Sequence, residues 1–239
     1  MNDLIPPHTT GESVFVDDIP EPKNTLQTAV FVSTIPHGKI LNLDLQKARE
    51  SEGVVKVLTY EDVPGENQVG RIIQDEELLA EHKVDFIGHP IAIILAETKE
   101  QANKARDLIS IEYEPLPAVF DPREAAKNGS LIAPSRTISL GDVDSIWERC
   151  ETIVEGVIES GGQEHIYMET QGSLAIPREE GDILIYSSTQ NPSTVQNIVS
   201  NILGYDMNKI EVDVDGVGVA LGWYTQAQFD AMPDGYVVE

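Results

Sequence analysis

The stretch Pro90-Ile91-Ala92-Ile93-Ile94-Leu95-Ala96, followed by Glu97-Thr98-Lys99-Glu100-Gln101-Ala102, decides the fold. An unbroken apolar run of this length predicts a strand buried on both faces. Thr98 with Gln101 three residues on has the spacing of a capping box, so a helix starts there. Ala102, Ala105, Leu108 and Ile109 recur at helical spacing on one face. Ile111 to Tyr113 returns to strand, and Pro115-Leu116-Pro117 ends this strand–helix–strand unit.

Working outward, a similar unit precedes it. Leu26 to Ser33 reads as a strand, Pro36-His37-Gly38 as a turn and Ile40 to Leu43 as a short strand. Asp44 can cap a helix through about Glu50, Gly53 can stop it, and Val54 to Thr59 is strand again. Val63 to Gly70 is a polar loop. From Asp121 to Asp144 the texture changes: Pro122, Asn128-Gly129, Pro134 and Gly141-Asp142 punctuate a segment with little periodicity, which predicts a linker. Beyond it, Thr152 to Ser160 and Gly172 to Pro177 read as strands, and Arg178 to Asp182 as a hairpin connection to a strand over Ile183 to Ser188. Ser193 or Thr194 starts a helix with the stripe Val195, Ile198, Val199, Ile202 and Leu203, ended by Gly204. Ile210, Val212 and Val214 alternate with acids as a half-exposed strand.

The chain has 239 residues, 16 basic against 41 acidic, for a net charge of −25. Such a chain repels phosphate backbones and anionic membrane surfaces, so neither nucleic acid nor membrane is an expected partner. A high-salt or acidic-proteome source accounts for the charge without any functional use. The one cysteine, Cys150, can form no internal disulfide and cannot hold an iron–sulfur cluster. Met1 to Thr10 has no basic–apolar leader pattern, and no apolar run reaches membrane-spanning length, so a soluble cytoplasmic protein is expected.

One further stretch carries chemistry: Gly161-Gly162-Gln163-Glu164-His165-Ile166-Tyr167-Met168-Glu169-Thr170-Gln171. It resembles a segment of the molybdenum-binding part of xanthine dehydrogenases and aldehyde oxidases. The likeness continues through Gly11 to Pro20, Pro36 to Ile40, Glu61 to Gly65, Ile87 to Ala92, Tyr113 to Ala118, Gly141 to Asp144 and Ser188 to Pro192. Each piece is weak alone; in the family's order they are specific. The resemblance implies an α+β protein, with a hammerhead-like α/β domain over 1–120, a linker over 121–145 and the start of an α/β molybdopterin-binding domain over 146–215. Residues 216–239, with Ala220-Leu221-Gly222-Trp223-Tyr224-Thr225, are similar instead to a segment near the subunit's C-terminal end. The family's glycine-rich stretch after its Ile-x-Val-x-Val strand has no match here, as if a long intervening piece were deleted.

The resemblance also implies oxidative hydroxylation of purines or aldehydes at a molybdenum–molybdopterin cofactor, with iron–sulfur and flavin groups on partner subunits or domains. Gln163 occupies the position that faces the molybdenum centre, where a neutral amide can donate a hydrogen bond to a metal-bound oxygen without adding charge. Glu164, His165, Tyr167 and Glu169 are expected to orient this strand. The segments that hold the family's catalytic carboxylate and its substrate-gripping residues have no counterpart, so no catalytic residue is assigned. The chain is expected to be inactive alone, not to retain molybdenum, and to leave 216–239 as its least ordered part; a homodimer stays open. The alternative is a non-catalytic binding or assembly module. His165 with Glu169 as zinc ligands, and Glu211 to Gly222 as a calcium loop, both fall short in ligand count.

Overall fold

The computed structural model describes residues 10–70, 73–162, 169 and 171–214. In chain order the elements are β1 (Gln27–Val32), β2 (Gly38–Asp44), α1 (Gln46–Arg49), β3 (Val54–Leu58), β4 (Lys83–Val84), β5 (Pro90–Ala96), α2 (Lys99–Arg106) and β6 (Ser110–Pro115). They continue with α3 (Pro122–Lys127), α4 (Val143–Trp147), β7 (Ser173–Pro177), β8 (Ile183–Ser187), α5 (Pro192–Leu203) and β9 (Ile210–Asp213). Residues 10–116 and 169–214 belong to one compact unit; residues 117–162 form a second.

Strand β5 is the middle of an antiparallel sheet ordered β1-β5-β3. Its alternate side chains go to separate places. Ala92, Ile94 and Ala96, all fully buried, join Ala29, Val57, Leu45 and Ala48, and Ala102, Ala105 and Ile109 from α2 and its end. Ile91, on the other face, joins Ala80 and Val84, with Ile40, Ile111 and Tyr113 of the second sheet packed against them. That sheet is ordered β4-β2-β6. The unbroken apolar run is thus two period-2 faces, each with its own core.

The strand–helix–strand units exist, but neither helix joins two strands of one sheet. α1 leads from β2 in the second sheet to β3 in the first, and α2 leads from β5 back to β6. Periodicity finds elements; it does not say which ladder each strand joins. Thr98 caps α2 by accepting the Gln101 N–H at 3.2 Å. Asp44 Oδ1 likewise accepts the Gln46 N–H at 2.9 Å at the start of α1. Gly88 (φ 93) donates to Ser33 O, and Ser33 donates to His89 O. The buried His89 ring stacks on Phe86 with centroids 4.6 Å apart.

A third sheet, ordered β7-β8-β9, is antiparallel between β7 and β8 and parallel between β8 and β9, with α5 as the connection. Helix α5 starts at Pro192, ahead of the expected Ser193, because the Asn191 side chain caps it by accepting the Thr194 N–H. Gly204 ends it in the left-handed region, φ 66. Its last carbonyls find outside donors: Gly65 N–H donates to Ile202 O at 2.8 Å and Glu66 N–H to Asn201 O at 2.9 Å. A Cβ on Gly65 would overlap the Asn201 carbonyl oxygen and come within 2.7 Å of Gly204 N.

Two expectations about residues 117–162 need correction. The segment read as a bare linker holds α3, capped by the Asp121 carboxylate on Arg123 N–H, and the start of α4, capped by Asp142 on Ser145 N–H. Such short helices rest on local caps and give too little periodicity to see. Thr152 to Ser160 is not a strand among the described residues; β propensity without a ladder partner leaves it unpaired. The expectation for 216–239 falls on residues outside those described.

Because α5 takes donors from the 65–66 loop, fragments produced by proteolysis within 121–144 should co-elute on gel filtration. Gly65→Val should separate them and lower the stability of the intact chain by about 2 kcal/mol or more in denaturant titration. A second expectation concerns acid. The Thr59 N–H at 3.0 Å, together with Lys56 at 3.0 Å, holds the Asp62 carboxyl below its ordinary range. Its stabilising contribution is therefore full above about pH 3.9 and is lost as pH falls through the lowered folded value. Asp62→Asn should flatten the acid limb of the stability–pH curve and leave its neutral-to-basic shape unchanged.

Candidate functional site

Three of the motif stretches converge where β7 begins. Gly172 lies just before β7 and Ser188 just after β8. The Gly172 N–H donates to Ser188 Oγ at 2.7 Å, and the Ser188 N–H donates back to Gly172 O at 3.0 Å. Thr189 Oγ1 accepts the Asn191 N–H at 3.1 Å, which sets up the Asn191 cap on α5. The stretch Ser188 to Pro192 is thus a clamp, a turn and a helix start in succession.

Glu169 ties this cluster to the start of the chain. Its Oε1 accepts the Val16 N–H at 2.8 Å, next to the short 3₁₀ turn Val16–Asp18. Its Oε2 is shielded from water and has no hydrogen-bond partner. A Cβ on Gly172 would sit 3.3 Å from Val16 Cβ and 3.4 Å from Glu169 Oε1, so the close approach suits glycine. Val16, Gly172, Ser188 and Thr189 border a cleft of about 1180 Å³ that continues along β7.

Of the residues singled out in the sequence, the structure brings Glu169 into this cluster in an orienting role. Gln163, Glu164, His165 and Tyr167 lie outside the described residues, as does Gly222 of the calcium alternative. Glu211, another member of that alternative, pairs instead with Arg178 at 2.7 Å. Among the described residues, no group of three or more His, Cys, Asp or Glu side chains is placed to hold a metal ion. Sequence reasoning missed the Glu169–Val16 contact, because a backbone N–H acceptor pair 153 residues apart leaves no pattern in side-chain identity.

A molybdopterin carries a phosphate and a polar ring edge, which call for free N–H and cationic donors. The N–H groups of Val16 and Gly172 are already bound within the protein, and a carboxylate stands beside them. The described residues therefore do not by themselves fit that cofactor.

Comparison with known proteins places this arrangement. A family profile described as the a/b hammerhead domain of aldehyde oxidase and xanthine dehydrogenase matches residues 10–117. A second, described as a molybdopterin cofactor-binding domain, matches residues 124–232. The chain belongs to the aldehyde oxidase and xanthine dehydrogenase family. It is 40% identical over 217 residues to aldehyde oxidase 2 of Macaca fascicularis, covering 90% of this chain and 16% of that protein. To the xanthine dehydrogenase/oxidase of Mus musculus it is 38% identical over 214 residues, covering 89% and 16%. The chain thus spans about 16% of the length of these curated relatives.

Two solved structures share the fold of this family member. Quinoline 2-oxidoreductase from Pseudomonas putida 86 superposes with a TM-score of 0.74 at 26% identity, over 89% of this chain and 29% of that one. Aldehyde oxidoreductase from Desulfovibrio gigas does so with a TM-score of 0.78 at 23% identity, over 89% and 26%, a likeness of fold alone. The hammerhead and the opening of the cofactor-binding part account for the mixed sheets seen here. The match to the cofactor-binding profile runs on to residue 232, past Val214, where the sequence reading placed its departure.

Glu169→Ala and Ser188→Ala each leave a sheltered backbone N–H without its acceptor. Each should lower unfolding free energy by about 1–3 kcal/mol, measured by denaturant titration. The two effects should not be additive, since both groups hold the few residues around Gly172.

Proposed function

We propose that this polypeptide supplies the hammerhead part and the opening of the cofactor-binding part of a xanthine dehydrogenase-type molybdenum hydroxylase, and that it is inactive alone. The reaction class is oxidative hydroxylation of a purine or an aldehyde in the cytoplasm, with electrons passed to iron–sulfur and flavin partners. We place the hammerhead at 1–120, the connection at 121–145, the cofactor-binding part at 146–215 and a displaced C-terminal piece at 216–239. Gln163 is the residue we assign to the cofactor. The observation that carries this reading is the Glu169–Val16 contact, which ties the Gln163-bearing stretch to the hammerhead's opening residues. Around it, the hydroxyl and N–H groups of the cluster are bound to one another, which supports a scaffold that positions other groups and itself lacks a base.

A second reading, an assembly module that docks on partner subunits, is favoured by one feature. In the 117–162 unit Ile132, Ile138, Leu140 and Ile158 are each more than 90% exposed, as a partner-covered surface would require.

Elemental analysis of the purified chain, together with dye reduction by xanthine and by aldehydes, tests the first reading. The expected result is no molybdenum and no turnover. About one molybdenum per chain with substrate-dependent reduction would overturn the inactivity, and stable capture by an iron–sulfur or flavin subunit without turnover favours the second reading.

A further inference from the structure

The molecule holds both an unpaired strand and an unpaired edge. Residues 152–160 read Thr-Ile-Val-Glu-Gly-Val-Ile-Glu-Ser, and they join no ladder among the described residues. Val154, Val157 and Ile158 are 88%, 87% and 96% exposed, although each is of a type that favours a pleated, half-buried surface. β7 pairs only with β8, so its other side is an open edge among the described residues. Its sequence, Ser-Leu-Ala-Ile-Pro, has none of the charges that ordinarily protect such an edge. All five of its residues, from Ser173 to Pro177, border the cleft. A strand presents alternate residues on its faces, so consecutive lining means that its edge faces the cleft. Across it lie Ile19 and residues 25–28.

We propose that residues 152–160 of one copy of this chain add as a strand to the β7 edge of a second copy, inside this cleft, in a reciprocal exchange. The second copy is the occupant because in a single molecule the segment stays unpaired, though only residues 161–172 separate it from β7 in sequence. Reciprocal exchange closes as a two-fold dimer, with strand and edge contributed by each partner. The ends of the cleft also suit it. Lys23 and Lys99 border it and have no carboxylate partner among the described residues, while the incoming strand brings Glu155 and Glu159. Asp17 and Glu21 border it as well; Glu21 is engaged by Gln27 Nε2 at 3.0 Å. Two chains of charge −25 repel, so added salt should tighten this dimer. The inference does not depend on the proposed chemistry.

Sedimentation of the full chain over a range of concentrations, at low and high salt, tests it alongside the Val157→Pro variant. Proline removes a ladder N–H at a site whose side chain packs on nothing in the monomer. The expected result is a dimer strengthened by salt, weakened about tenfold or more by Val157→Pro, with the unfolding temperature of the dilute monomer unchanged. In a Cys150→Ser background, a short bismaleimide should link Val157→Cys on one tagged copy to Ala175→Cys on a copy of different size. A chain monomeric at every concentration, a dimer indifferent to Val157→Pro, or a link formed only within a doubly substituted chain would each overturn the proposal.

Discussion

Strand β5 is shared between two cores, and the larger unit depends on that sharing. Ala92, Ile94 and Ala96 pack toward the helices, whereas Ile91 packs toward the second sheet, and all four are inaccessible to solvent. The alanines matter as much as the isoleucines. Ala96 on the strand and Ala102 and Ala105 on α2 let the helix lie close to the sheet, at a distance that larger side chains would not permit. Because the helices carry the chain from one sheet to the other, a disturbance of β5 reaches both sheets at once.

The third sheet is attached to this frame through backbone groups. The end of α5 has carbonyls without intrahelical partners, and the N–H groups of Gly65 and Glu66 reach two of them. Only a residue without a side chain allows that approach. At the other attachment a carboxylate, Glu169, takes the N–H of Val16. Both attachments use donors that every residue owns, which is why motif stretches far apart in sequence meet without complementary side chains to announce it. The candidate site is built at the second attachment, so its geometry is inherited from the packing of the sheets.

The second unit behaves differently. Its helices α3 and α4 are held by local caps, and its apolar side chains face outward. A net charge of −25 keeps such a surface in solution, and it also selects what can cover it. An extended acidic–apolar segment next to an uncharged strand edge is a pairing that hydrogen bonds and apolar contact favour and that long-range charge opposes.

The sequence by itself determined the elements whose signals are local. The apolar run of β5, the Thr98 cap of α2, the hairpin turn at Arg178–Asp182 and the stripe of α5 were all legible, because each depends on residues within one or two turns of chain. The family was legible too, through short stretches in a fixed order, most of all the one containing Gln163. Tertiary structure alone decided which sheet each strand joined, that α5 would be completed by the loop at Gly65, and that Glu169 would meet Val16. It also decided that Thr152 to Ser160, strand-like in composition, would stay unpaired in a single chain. Propensity and alternation act within a segment. Ladder partners, close backbone approaches and burial are set by segments far away in sequence, and only folding brings those within hydrogen-bonding distance.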